Sequence, residues 1–457
     1  MFNKKQKENS FTFSKISRTL GVLVMLLCAT AAFAQPKDNS PYSRVGLGDL
    51  VQQQFAAYRG FGSLSAAYQH PYHINTENPA SLAFLNATAF EIGLYAKRAI
   101  LEDTQGEEET VYSGNLRYMA LAFPLQNPVN RELERDKNPF RWGMNLALIP
   151  YTQVGYNLQT TNFSPEIDTT ITAYTGEGGT YRFIWGNGFR YKNFAAGVNA
   201  GFLFGNISQN SQTALISIDD SYDVITDNDY SISGVMWDFG VQYRHDFKSA
   251  NNKGDIVPNG KSIVVGAFGN SKRKYKTRAQ QYYRAENIIN GGVFDTDTIL
   301  FVQDKMGEGQ LPGEFTIGVM YQNANKLRVG AEFSAESWSQ FTNPIEETRM
   351  EDVYSVAFGG EWTPDAKSYN SYAKRMQYRA GFRYGLDPRG TDGDLTYSTI
   401  SVGLGMPIIS KGVQSYLDWG IEFGRFGKEN GLNENFIRLT AGFTLNDSSW
   451  FFKRRYN

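Results

Sequence analysis

Between Ala87 and Leu445 the chain repeats one pattern: segments of roughly ten residues in which every second position is apolar or aromatic, separated by turn residues, as transmembrane β-strands require. In one segment Phe194, Ala196, Val198, Ala200, Phe202 and Phe204 share a face, with Gly197, Asn199, Gly201 and Gly205 on the other. In another, Leu327, Val329, Ala331 and Phe333 alternate with Arg328, Gly330, Glu332 and Ser334. The pattern predicts strands near 88–98, 113–125, 140–162, 178–192, 194–212, 228–247, 261–278, 310–322, 327–341, 351–363, 375–386, 396–408, 413–427 and 434–446. That is about fourteen, an even number as a closed single-chain antiparallel barrel needs, and it places both chain ends on the periplasmic side. Lys192-Asn193, Ala324-Asn325 and Ser410-Lys411 read as tight periplasmic turns, and Ala279 to Gly309 as a long extracellular loop. On this register a charge at Val198 or Val329 meets lipid, whereas Asn199 and Gly330 face the lumen and accept polar replacement.

Residues 35–86 lack strand alternation and read as a separate hatch or plug segment ahead of a barrel over 87–447, with a basic and aromatic tail at 448–457. Near its end Asn78-Pro79-Ala80 sets a capping Asn before a Pro at the first helical position, which predicts a short helix. A segment of about fifty residues is marginal alone, and the barrel lumen is the natural source of the missing core.

The first residues carry Lys4, Lys5, Lys7, Lys15 and Arg18, then the apolar run from Leu20 to Cys28, then Ala32-Phe33-Ala34, which reads as a cleaved secretory signal over 1–34. Cys28 is the only cysteine, so the mature chain would have neither disulfide nor thiol chemistry. No other stretch supplies the roughly twenty apolar residues of a membrane helix. Aromatic residues make up 14% of the chain, and many sit at strand ends on the apolar face (Tyr181, Phe183, Trp185; Trp237, Phe239, Tyr243), as in the interfacial girdles of an outer-membrane barrel. A net charge of −1 argues against nucleic acid as a partner.

Gly60-Phe61-Gly62 leading to Asn78-Pro79-Ala80, the segment Ile149-Pro150-Tyr151-Thr152-Gln153-Val154-Gly155-Tyr156, and Leu311-Pro312 leading to Trp338-Ser339-Gln340-Phe341 together resemble the FadL family of outer-membrane channels for long-chain fatty acids and other hydrophobic compounds. The ending Trp450-Phe451-Phe452-Lys453-Arg454-Arg455-Tyr456 is similar to Bacteroidota versions of the family. The resemblance implies a fourteen-stranded barrel closed by an N-terminal hatch, which takes up apolar molecules and releases them sideways through a kinked third strand. It also admits a non-transporting barrel subunit of a secretion complex, since fold alone does not fix function.

Pro150 breaks a continuous strand and removes a ladder donor, so a bulge is expected there, with Pro150, Tyr151 and Gly155 as the candidate lateral opening. By strand parity the lumen carries Arg182, Arg190, Asp238, Arg244, Arg328, Glu332, Glu361, Arg379, Arg383, Asp418 and Glu422. Two readings stay open: paired charges that hold the hatch, or Arg182, Arg328, Arg379 and Arg383 as receptors for a ligand carboxylate. Lys272, Arg273, Lys274, Lys276 and Arg278 form a cationic run suited to lipopolysaccharide phosphates or simply to water. His70, His73 and His245 are the only histidines, too few for a metal site or a Ser-His-acid arrangement, so neither enzyme nor cofactor is expected. The acidic stretch from Asp219 to Asp229 reads as a solvated loop. The leading expectation is a channel for hydrophobic compounds in the outer membrane. The runner-up is an accessory barrel of an export or assembly machine, with a protein partner at the charged turn from Asn130 to Lys137 and the Lys453-Arg454-Arg455 tail.

Overall fold

The computed structural model describes residues 40–126, 138–165, 168–215, 221–250, 255–289, 292–324, 326–346, 348–390, 395–410, 413–428 and 431–448. The expected signal, the 130–137 turn and the basic tail lie outside the described residues. In chain order the strands are β1 (Asp49–Leu50), β2 (Thr88–Glu102), β3 (Glu108–Pro124), β4 (Phe140–Ser164), β5 (Asp168–Tyr191), β6 (Phe194–Leu215), β7 (Tyr222–Ala250), β8 (Ile256–Asn270), β9 (Arg273–Ile289), β10 (Gly292–Leu311), β11 (Glu314–Asn323), β12 (Leu327–Glu336), β13 (Val353–Trp362), β14 (Gln377–Asp387), β15 (Leu395–Ser410), β16 (Val413–Gly427) and β17 (Asn433–Asp447).

Fourteen of them, β2–β8 and β11–β17, close an antiparallel barrel. The seam is a full ladder from Asn433↔Glu102 to Asp447↔Thr88. Alternation sets which residues look outward: Leu94, Phe202, Val235, Phe315, Val329 and Phe358 are all exposed on the outer face. An apolar belt that runs right round a molecule is what lipid requires and what water penalises. No helix among the described residues is long and apolar enough to cross a membrane.

One expectation fails between Ala279 and Gly309, which is not a loop. β9 pairs with the upper part of β7, from Tyr222↔Asn287 to Gly234↔Tyr275, and β10 pairs with β9 along its length. Below them β8 pairs directly with β11. A six-stranded sheet, β4-β5-β6-β7-β9-β10, thus rises past the wall at the end away from the Thr88–Asp447 rim. Residues such as Asp295, Thr296, Asp297 and Thr298 hid it, because beyond the membrane neither face has to be apolar. Residues 222–229 of the expected acidic loop belong to the same sheet, in β7. Nor does the strand expected over 327–341 run to its end: β12 stops at Glu336, and a 3-10 turn over Trp338–Gln340 folds Trp338 and Phe341 inward, where both are buried.

The hatch fills the barrel at the opposite end. Phe55, Tyr58, Phe61, Tyr68, Ile74 and Leu82 form one buried cluster with wall residues of which half are alanine: Ala89, Ala120, Ala122, Ala147 and Ala357. At those positions the plug supplies the bulk. Phe55 stacks parallel on Tyr118 with ring centroids 3.8 Å apart.

Candidate functional site

The Asn78-Pro79 motif forms the expected turn, a 3-10 helix over Pro79–Phe84, with the Asn78 side chain accepting from the Ala80 amide at 3.2 Å. Its amide nitrogen faces three carbonyls, those of Ala66 in the hatch and of Val241 and Ala267 in the wall, at 2.7, 3.3 and 3.4 Å. One side chain thus ties the turn, the rest of the hatch and two wall strands together. Elsewhere the wall reaches into the hatch backbone. Glu332 accepts from the Ser65 and Ala66 amides at 2.7 Å each, Glu91 from Ile74 at 2.6 Å, and Asn199 donates to the Thr76 carbonyl at 2.7 Å.

Close approach is possible because the inner wall is lined with glycine at this level. A Cβ at Gly266 would overlap the Ala66 carbonyl, at Gly359 the Phe61 carbonyl, and at Gly381 the Gly62 nitrogen. Gly188 and Gly240 stand against Pro79 and Asn78 in the same way. Asn199 and Gly330, expected to be tolerant lumen positions, are not: Asn199 is fully buried in its bond to the hatch, and a Cβ at Gly330 would press on Val319 and Leu64.

Most of the lumen charges pair, although Arg190 and Glu332 bond to backbone groups instead. Arg59 of the hatch makes a fork to Glu422, at 3.1 Å from Nε and 2.7 Å from Nη2, with both residues buried. Arg379 bridges Glu361 at 2.8 Å and Asp418 at 2.5 Å, and Arg328 also pairs with Glu361. Arg182 and Arg273 share Asp238, and Arg389 pairs with Asp387 at 2.7 Å and with Asp49 of the hatch. Of the four arginines proposed for a ligand carboxylate, Arg182, Arg328 and Arg379 therefore already hold a carboxylate of the chain. Arg383 instead bonds the Ser355 hydroxyl at 3.2 Å and the Tyr397 hydroxyl, and pairs with no carboxylate among the described residues.

Above the hatch lies a cavity of about 270 Å³. It is bordered by eight carboxylates and seven cations, including Glu314, Glu332, Glu336, Arg117, Arg383 and Arg389. Glu77, on the hatch, opens onto it. Its carboxyl is pushed up to about 8, chiefly by burial and further by Glu332.

The wall parts beside this cavity. β3 and β4 pair only from Met119↔Leu148 to Pro124↔Gly143, after which β4 continues alone on that side. Two residues later the β4–β5 register shifts between Pro150 and Thr152, leaving Tyr151 as a bulge opposite Tyr181 and Thr180, and the next two partners on β5, Gly179 and Gly178, are both at positive φ. The N-terminal segment occupies the gap as a substitute strand. Asp49 and Leu50 pair with Gln153 and Thr152, Val51 donates to the Tyr151 carbonyl at 3.0 Å, and Ser40 donates to Gly155 at 2.9 Å. Gly48, at φ +98°, lies so close to the Gln153 carbonyl that no Cβ fits. From the other rim Arg117 donates to the Gln52 carbonyl at 3.0 Å.

Of the cationic run, Lys272, Lys274, Lys276 and Arg278 point outward, but Arg273 does not. It is buried, 3.2 Å from Asp238, so it leaves the surface group. Lys274 and Arg278 are engaged by Glu308 and Asp304 of β10, at 2.5 and 2.7 Å. The His70 and His73 rings lie 4.5 Å apart inside the hatch, and burial holds both imidazoles below the usual histidine range. No group of three or more His, Cys, Asp or Glu among the described residues is disposed to hold a metal. Arg59 and Arg117, which hold hatch and gap, were missed by sequence reasoning. A lone arginine behind Phe55-Ala56-Ala57-Tyr58 was the available signal for the first.

Solved structures share this architecture. The toluene transporter TbuX of Ralstonia pickettii aligns with a TM-score of 0.54 at 12% identity, over 86% of this chain and 98% of its own. The toluene transporter TodX of Pseudomonas putida gives 0.54 at 16%, over 88% and 99%, and a Pseudomonas aeruginosa FadL homologue 0.52 at 13%, over 87% and 99%. At such identities the likeness is one of fold. No curated protein matches the chain. The family model named BamG matches residues 16–457, nearly the whole length, and the chain belongs to that family.

Proposed function

We propose that this protein is an outer-membrane barrel whose lumen is permanently plugged, and that it serves as a non-transporting subunit of an outer-membrane secretion or assembly complex. One observation carries the reading: the space beside the parted wall is lined by fifteen ionisable side chains and sealed by the chain's own N-terminal segment, which suits water and ion pairs better than an apolar cargo. The sheet that rises past the far rim offers such a complex a surface. Among the described residues β10 leaves one edge unpaired above its bridge from Gln310 to Thr342, and Phe294, Ile299, Phe301 and Met306 are exposed there. A long free edge with exposed apolar residues is a site for another chain.

A second reading, the uptake of hydrophobic compounds with lateral release, is favoured by the gap itself and by the fold shared with the toluene transporters. It requires the segment from Ser40 to Gln53 to leave β4.

One purification separates them. The barrel is isolated in mild detergent, and its lipids and proteins are identified by mass spectrometry, for the wild type and for Phe301→Asp. A protein at fixed stoichiometry that Phe301→Asp releases supports the subunit reading. A bound apolar compound, with slower uptake in Pro150→Val and no fixed protein, overturns it in favour of the channel.

A further inference from the structure

The outer surface of the wall carries a second hollow, of about 380 Å³, across β2 and β14–β17. Cross-strand register shows how it is built. Arg98, Ile437, Phe423, Ile400 and Phe382 are paired neighbour to neighbour and form one row round the barrel. One step further from the Thr88–Asp447 rim, Ile100, Asn435, Arg425 and Ser398 form the next. The first row is apolar apart from Arg98, and Ile437, Phe423, Ile400 and Phe382 are all exposed. The second is mostly polar. The hollow therefore straddles the line where an apolar exterior gives way to water, the level of lipid headgroups.

Arg98 on β2 and Arg425 on β16 flank β17 one row apart, so their Cα atoms are separated by two strand spacings and two residues along the strand, roughly 12 Å on the diagonal. Both side chains are exposed. Neither forms an ion pair with a carboxylate among the described residues. Two guanidinium forks that converge over Asn435 can share one phosphate, and Ile437, Phe423 and Ile400 lie below in the direction an acyl chain would run. A soluble anion would gain nothing from that apolar row, and an uncharged lipid nothing from the arginines.

We infer that this hollow holds a net-anionic lipid of the outer leaflet, one whose phosphate no cation of its own headgroup neutralises, with that phosphate on Arg98 and Arg425 and an acyl chain along Ile437, Phe423 and Ile400. The inference rests on the outward face meeting lipid and not on what the lumen does.

Native mass spectrometry of the full-length barrel in detergent, titrated separately with monophosphoryl lipid A, phosphatidylcholine and inorganic phosphate, tests it. The wild type is expected to retain lipid A over phosphatidylcholine. The Arg98→Gln/Arg425→Gln variant should lose about tenfold in retention, close to 1.4 kcal/mol. Phe423→Ala should weaken lipid A and leave inorganic phosphate unchanged. Lys272→Gln/Lys276→Gln, which removes the same charge elsewhere on the outer face, should change neither. Arg98→Lys/Arg425→Lys, which keeps charge and spares folding, should fall between. Equal retention in the arginine variant, an equal loss in the lysine control, or binding of phosphatidylcholine as tight as that of lipid A overturns the proposal. So does a protein found covering the hollow.

Discussion

Among single residues, the buried charges have the sharpest consequences. Arg59 and Glu422 are both out of water and held by each other, with Arg438 a further 3.6 Å from the same carboxylate. Removing Arg59 leaves Glu422 only that longer contact, so Arg59→Ala is expected to cost up to about 3–5 kcal/mol. Arg59→Lys should recover only part of that, since an ammonium cannot reproduce the two-nitrogen fork. The shift from folded to unfolded migration on a detergent gel, followed against temperature or urea, reads both. Glu77 makes a pH prediction of the opposite sign to the usual carboxylate. Its folded value, about 8, lies above the ordinary 4.5, so between those values the folded state holds a proton that the unfolded state has lost. Stability then falls as pH rises through that window and levels off above it. Glu77→Gln should flatten this slope and raise the melting point above pH 8. An unchanged slope in the variant would show that Glu77 ionises freely, in contact with cavity water.

At the level of elements, orientation is testable within one strand. Val329 of β12 faces outward and is exposed, whereas Ser334 borders the cavity beside Glu314, Glu332 and Glu336. Val329→Arg is expected to impair insertion at a cost of roughly 2–4 kcal/mol if it lies near the midplane, while Ser334→Arg should insert normally among those acids. Equal surface yields of the two would reverse the assigned faces. Strands such as β12 were legible in the sequence because lipid imposes an apolar residue at every second position over their whole length. β9 and β10 were not, because that constraint ends where the membrane does and backbone pairing leaves no composition signal. Arg273 was misplaced for a related reason: a run of cations looks like one surface patch until parity assigns its alternate members to opposite faces. The hatch contacts were illegible throughout. Glu332 with Ser65, or Arg59 with Glu422, joins residues hundreds of positions apart, and only the closed barrel brings them together.

For the whole molecule, the fit of plug to wall decides what the barrel can do. If the segment from Ser40 to Gln53 is the missing piece of wall, then Gly48→Val should push it off β4, making the purified barrel leak small solutes and exposing the segment to protease. Intact impermeability in that variant would mean the gap is closed by something else. Deleting residues 35–80 should go further and leave an open pore, provided the barrel still forms. That proviso has a structural basis. Because glycines at 266, 359 and 381 let the plug's backbone touch the wall's, the two surfaces are cast against each other with no clearance for later entry. A plug of this shape cannot be threaded into a finished cylinder. It has to be in position while β17 and β2 are still apart, acting as the mandrel round which the sheet is rolled. Residues 35–86 supplied as a separate peptide should therefore become protease-resistant when made together with 87–457, and stay digestible when added to barrels already zipped shut.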